Sequence, residues 1–226
     1  MLLKKHPKDI VDHDSWRKEC PPKKGDMQWA DGRSAKELAK YMTKNLPSVP
    51  AEIENAIKTI VPAKAEFEWD AEYVTKLPGT GEGRNHDAIL FIDKNIVITI
   101  EAKADESLGN LIDEEIENAS VNKLYRISSL LGYIFKGGFK NYKKLRYQLL
   151  TASVGTILEA QKKNCKTAVL IVLVFKSNGK VTEEKVTANH KDVVAFLNAT
   201  NAYVENGLFV IPNNTDIKLY FKEIVI

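Results

Sequence analysis

Two carboxylates and an ammonium stand at matching ends of two short apolar runs. Asp87 heads the run Ala88–Ile92, and Glu101-Ala102-Lys103 closes the run Ile96–Ile100. Both runs are rich in β-branched residues and are joined by Asp93-Lys94-Asn95, so the pair reads as a β-hairpin. Side chains alternate along a strand, which puts Val97, Thr99, Glu101 and Lys103 on one face and Ile96, Ile98, Ile100 and Ala102 on the other. In an antiparallel pair the start of one strand lies beside the end of the next, so Asp87 is expected near Glu101. Charges gathered at the end of an apolar hairpin are costly unless a metal or a partner compensates them. Two acids on adjacent strands are a minimal cradle for a hard divalent cation. Lys103, on the same face as Glu101, could orient a water or stabilise developing negative charge.

The E-x-K spacing alone is weak in a chain that is 28% charged, and Glu183-Glu184-Lys185 has it too. Only the Glu101 copy ends an apolar strand that follows a strand headed by an aspartate. The bland alternative is a salt bridge at a strand end, Lys103 with Asp105 or Glu101, of small energetic consequence. Spacing leaves both readings open.

The elements that must position these residues follow from pattern. Residues 1–32 are polar and irregular, with Trp16 and Trp29 as anchors onto the body. A helix starts at Ser34, where Ser34-Ala35-Lys36-Glu37 has the form of a capping box. Pro47 and Pro50 end it, and Glu52–Ile60 reads as a second short helix. Ala65–Leu77 is expected as a strand, followed by a glycine loop, 78–83, and the hairpin. Leu108–Ile134 has spacing for one or two helices, and 142–161 for another. Thr167–Lys176 is continuous and β-branched, as in a strand covered on both faces. Asp192–Leu197 is expected as helix, and Leu208–Ile211 and Ile217–Ile226 as strands.

With 226 residues, 44% of them apolar, the chain is long enough for one large domain with a substantial core. A net charge of +3 does not by itself argue for nucleic acid. Cys20 and Cys165 form no metal-type pair and imply a reducing, cytoplasmic setting, with a single disulfide as the alternative. The N-terminal residues lack the apolar core of a signal peptide, and the longest apolar run, Ala168–Phe175, is too short to span a bilayer.

The order helix, strand, strand, strand, helix, strand, with acids at the second and third strands, resembles the PD-(D/E)xK, or restriction-endonuclease-like, superfamily. Asp87, Glu101-Ala102-Lys103 and a following helix bearing Arg146-Tyr147-Gln148 carry the resemblance, which covers residues 34–176; His86 stands where the pattern has proline. The resemblance implies an α/β fold with a mixed central sheet flanked by helices (an αβββαβ core). Residues 1–33 would form an N-terminal arm, and 34–226 a single domain whose last part, 177–226, decorates the core. It further implies a metal-dependent nuclease hydrolysing phosphodiester bonds, with DNA as the expected substrate. Mg²⁺ or Mn²⁺ would be held by Asp87 and Glu101, with Glu37 as a third acid from the first helix. The alternative is a non-catalytic protein of the same fold, acting as a binding or assembly module.

Other motifs carry less. Gly79-x-Gly81-x-Gly83 lacks the Lys-Ser/Thr of a phosphate loop and reads as a flexible connection. The four histidines show no ligand spacing. From Asn118 to Leu158 there is no acidic residue, while Lys136, Lys140, Lys143, Lys144 and Arg146 fall there among aromatics. With Gln148 they form a candidate nucleic-acid surface, against the alternative of an ordinary solvated basic loop.

Overall fold

Period-two alternation and β-branched runs build a single mixed sheet. The computed structural model describes residues 1–5, 10–22, 25–62, 64–92, 95–135, 142–176 and 181–226. In chain order the elements are β1 (Leu2–Lys5), α1 (His13–Glu19), α2 (Ser34–Lys44), α3 (Ala51–Ile57), β2 (Glu66–Thr75), β3 (Arg84–Ile92) and β4 (Ile96–Lys103). There follow α4 (Ile112–Glu117), α5 (Val121–Ile134), α6 (Tyr147–Lys162), β5 (Thr167–Val174), α7 (Glu183–Ala199), β6 (Tyr203–Glu205), β7 (Leu208–Ile211) and β8 (Lys218–Val225). Among the described residues the sheet has eight strands in the order β1-β2-β3-β4-β5-β8-β7-β6.

The four strands expected at the centre are adjacent. β2, β3 and β4 form an antiparallel meander, and β4 runs parallel to β5 from Ile96↔Thr167 to Lys103↔Val174. A parallel pair needs a crossover, which α4, α5 and α6 supply. Of the expected turn, Asp93 and Lys94 lie outside the described residues, and the Asn95 amide donates to the Ile92 carbonyl at 3.0 Å. The C-terminal segment continues the sheet: β8 pairs parallel with β5 along its whole length, from Thr167↔Lys218 to Val174↔Val225. Central in the sheet, β5 turns alternate side chains into cores on both faces, the physical reason for its unbroken apolar run.

Helices cover the two faces separately. Leu38, Ala39 and Met42 of α2 and Ile53 and Ile57 of α3 pack with Leu90, Ile98, Ile100 and Ile171 on one face. Ile127 and Leu130 of α5, Leu150 and Ile157 of α6 and Phe196 of α7 pack with Ile89, Val97, Leu170 and Phe221 on the other. Trp16 and Trp29 join the first core, and the Trp16 ring lies 5.6 Å from that of Trp69. The N-terminal stretch expected to be irregular contains β1, parallel to β2, and α1. The longer α7 begins at Glu183 because the Thr182 side chain caps it. Cys20 and Cys165 are not joined in a disulfide. Among the described residues no helix is long and apolar enough to cross a membrane.

One residue breaks the alternation. Phe67, Trp69 and Ala71 of β2 point into the α2/α3 core, yet Tyr73 packs on the α6 side and Thr75 bonds to Glu159 of α6. Between them Glu72 has φ 51°, a left-handed conformation that a non-glycine residue enters at a cost of about 1–3 kcal/mol. Pairing continues on either side, Ala71↔Ala88 and Tyr73↔His86, so the partner strand inverts as well. Ala88 faces the α2/α3 core, whereas His86 and Arg84 meet Gly155 of α6.

Candidate active site

The inversion gathers charged groups beneath α6. Ala88↔Ile100 is the last described β3–β4 pair, and one step further the register sets Asp87 opposite Glu101. There the Asp87 carboxylate takes the place of the ladder: the Ala102 amide donates to its Oδ2 at 2.7 Å. Alternation along β4 places Glu101 and Lys103 on the α6 face, as expected. They are 2% and 5% exposed. Lys103 Nζ donates to Glu101 Oε1 at 2.8 Å, and Gln148 Nε2, from the first turn of α6, donates to the same oxygen at 2.5 Å. Arg84 Nη2 abuts Glu101 Oε2 as an ion pair.

One glycine makes room for this packing. A side chain at Gly155 would stand 2.9 Å from His86 Nε2 and 3.2 Å from Arg84 Cγ, so the bare backbone of α6 admits both residues. Gly109, beside Gln148, has φ +75°, a left-handed backbone conformation that favours glycine.

Burial sets the electrostatics. It lowers the pKa of Lys103 from the usual lysine value; the Asp87 and Glu106 carboxylates oppose that shift and the Arg84 charge adds to it. His86 is pushed down to about 3 by burial, then by Arg84, and so is held neutral. Glu106 is raised by burial, against the pull of the Ser34 hydroxyl and Lys103. Two acids, Asp87 and Glu101, thus face two cations, Arg84 and Lys103. The rim is formed by partly exposed groups: Asp87, Asp105, Glu106 and Gln148.

Several expected roles change. Glu37 does not join Asp87 and Glu101: it lies on α2, which covers the opposite face of the sheet, and its Oε1 accepts the Gly32 amide at 2.9 Å. The capping box is also absent, because the Ser34 hydroxyl donates to Glu106 instead. Gln148, expected on a nucleic-acid surface, is a partner of Glu101. Arg146 is held inside, its Nε on Asp192 Oδ2 at 2.8 Å and its Nη1 on the Gly109 carbonyl at 2.8 Å. Lys143 lies 3.3 Å from Asp113 and is largely exposed, as is Lys144. Lys136 and Lys140 lie outside the described residues. The acid-free stretch is therefore not uncompensated, since acids from distant segments meet its cations.

Arg84 was not anticipated. Simple alternation sets it on the face opposite Glu101, and nothing in the residue types around Glu72 announces the inversion. The glycine loop is tied down rather than loose: Arg126 of α5 donates to the carbonyls of Pro78, Thr80 and Glu82 at 3.1, 2.6 and 2.8 Å.

Among the described residues no three His, Cys, Asp or Glu side chains converge to hold a metal ion. The residues that could hold a hard cation are Asp87 and Glu101, and Glu101 Oε2 is taken up by Arg84. Two carboxylates fit Mg²⁺, which keeps several of its waters and takes one or two protein carboxylates.

The family model described as Domain of unknown function (DUF6946) matches residues 9–225. The chain belongs to that family. The match takes in β2 through β8 and hence every residue of the site in this DUF6946 member. Neither the curated proteins nor the solved structures hold a match to it.

Proposed function

We propose that the chain is a metal-dependent phosphodiester hydrolase acting on nucleic acid, built on a restriction-endonuclease-like core. The observation that carries this reading is the placing of Asp87 at the end of β4, its Oδ2 2.7 Å from the Ala102 amide next to Glu101, with the Lys103 ammonium 2.8 Å from Glu101. The antiparallel β2-β3-β4 meander and the helical crossover into parallel β5 support it, since they match the element order of the resemblance. Asp87 and Glu101 would hold Mg²⁺ or Mn²⁺, which when bound supplies charge neutralisation at the scissile phosphate and a more acidic water. Gln148 fixes the orientation of Glu101. Lys103, its ammonium form disfavoured by burial, presents a proton or a positive charge where negative charge develops as the P–O bond breaks.

The test is cleavage of duplex DNA, single-stranded DNA and RNA with Mg²⁺ or Mn²⁺, alongside calorimetric titration of the metal. Glu101→Gln should lose metal binding and cleavage together, because a neutral amide is a poor ligand for a hard cation. Lys103→Ala should retain metal binding and lose about 10²–10³-fold in turnover.

A second reading is favoured by the burial of Glu101 and Lys103: a purely structural cluster in a binding or assembly module. A wild-type protein that neither binds a divalent cation nor cleaves any nucleic acid would decide for it. Glu101→Gln would then act only on stability, by about 3–5 kcal/mol, through the cations left unpaired.

A further inference from the structure

We propose that Arg84 is the phosphate-binding residue of this site, and that until a cation arrives it serves as the counter-ion that closes Glu101. The proposal rests on the phosphodiesterase reading above.

The two cations divide the Glu101 carboxylate between them, Lys103 on Oε1 and Arg84 on Oε2. Arg84 Nε is buried and makes no hydrogen bond, while Nη2 is taken up by Glu101 Oε2, although a guanidinium is a planar fork suited to two oxygens of one anion. A buried donor without an acceptor calls for an explanation, and a ligand oxygen is the one its position favours. The fold takes trouble to put the group there. The left-handed Glu72 turns this end of the β2–β3 pair over, Gly155 leaves space for the Arg84 stem, and Arg126 ties down the loop that leads into it.

Charge arithmetic then assigns the switch. Asp87, Glu101, Arg84 and Lys103 sum to zero, so a divalent cation on Glu101 Oε2 leaves a surplus of two positive charges. Repulsion at such close range moves the guanidinium off Glu101, and the surplus makes the site attract an anion. A phosphodiester oxygen pair is an acceptor that the freed fork can take. Arg84 thus couples the arrival of the metal to the docking of the phosphate.

The experiment compares wild type, Arg84→Gln, Arg84→Lys and Glu101→Gln. It uses Mn²⁺ titration of the protein alone, and affinity for a short DNA duplex in the Lys103→Ala background, where turnover is suppressed. Removing the competing charge in Arg84→Gln should tighten Mn²⁺ binding by roughly tenfold or more, while weakening duplex binding in the presence of Mn²⁺. Arg84→Lys should bind Mn²⁺ like wild type and still lose duplex affinity, because an ammonium has no fork. Thermal denaturation of each variant reports that it is folded. Mn²⁺ binding unchanged in Arg84→Gln, or duplex affinity unchanged in both Arg84 variants, overturns the proposal while leaving the nuclease reading intact if wild type still binds metal and cleaves. A wild type without metal binding or cleavage overturns both.

Discussion

Gly155→Ala isolates the packing that admits Arg84 and His86 beneath α6. In the interior of an α-helix this substitution normally stabilises by about 1 kcal/mol, because alanine loses less backbone freedom on folding. Here the new methyl would stand 2.9 Å from His86 Nε2, 3.0 Å from His86 Cε1 and 3.2 Å from Arg84 Cγ, against 3.4–4 Å for ordinary van der Waals separation. Overpacking of this kind costs about 1–3 kcal/mol. The expected net effect is destabilisation of about 1 kcal/mol, the overlap outweighing the helix propensity. In a His86→Ala background the imidazole is gone and no hydrogen bond goes with it, since neither ring nitrogen has a partner. There Gly155→Ala should stabilise, giving a coupling energy of about 2 kcal/mol in a double-mutant cycle followed by urea unfolding. If Gly155→Ala stabilises the wild type by about 1 kcal/mol and the coupling falls within experimental error of zero, the inverted strand does not lie against α6 as described.

Three further outcomes are expected. Glu159 is fully buried and accepts from Tyr73 Oη at 2.8 Å and Thr75 Oγ1 at 3.3 Å, so Glu159→Ala should cost about 3 kcal/mol in urea unfolding and Glu159→Gln markedly less. Arg126→Ala removes three hydrogen bonds to the glycine loop and should accelerate amide exchange at residues 79–83 while leaving β5 protected; equal protection in mutant and wild type would show that the loop is held by something else. Lys143→Gln combined with Lys144→Gln should weaken DNA binding and reduce its salt slope by about one for each phosphate no longer neutralised. An unchanged slope would assign these exposed lysines to ordinary solvated surface.

Much of this architecture is legible in the residues alone. Short β-branched runs, their alternation and the length of the 103–167 connection determined the hairpin, the parallel pairing of β4 with β5 and the distribution of helices over two faces. They also determined the shared face of Glu101 and Lys103 and the placing of Asp87 beside the end of β4, where the Ala102 amide reaches it, because strand periodicity is a local property that burial of one face enforces. What tertiary structure decided is which charges meet across distance in the chain. Glu37 has the form of a capping and metal-binding acid, yet α2 covers the other face and the Ser34 hydroxyl goes to Glu106. Arg146 and Lys143 sit in a stretch without acids, yet Asp192 and Asp113 come to them from elsewhere. Arg84 reaches Glu101 only because Glu72 adopts a left-handed conformation, and Gly155 matters only because it lies over that inversion. A glutamate does not code for a left-handed conformation by its type. Its φ is imposed by the packing of two cores on opposite faces of one sheet, a constraint that exists only once the whole chain is folded.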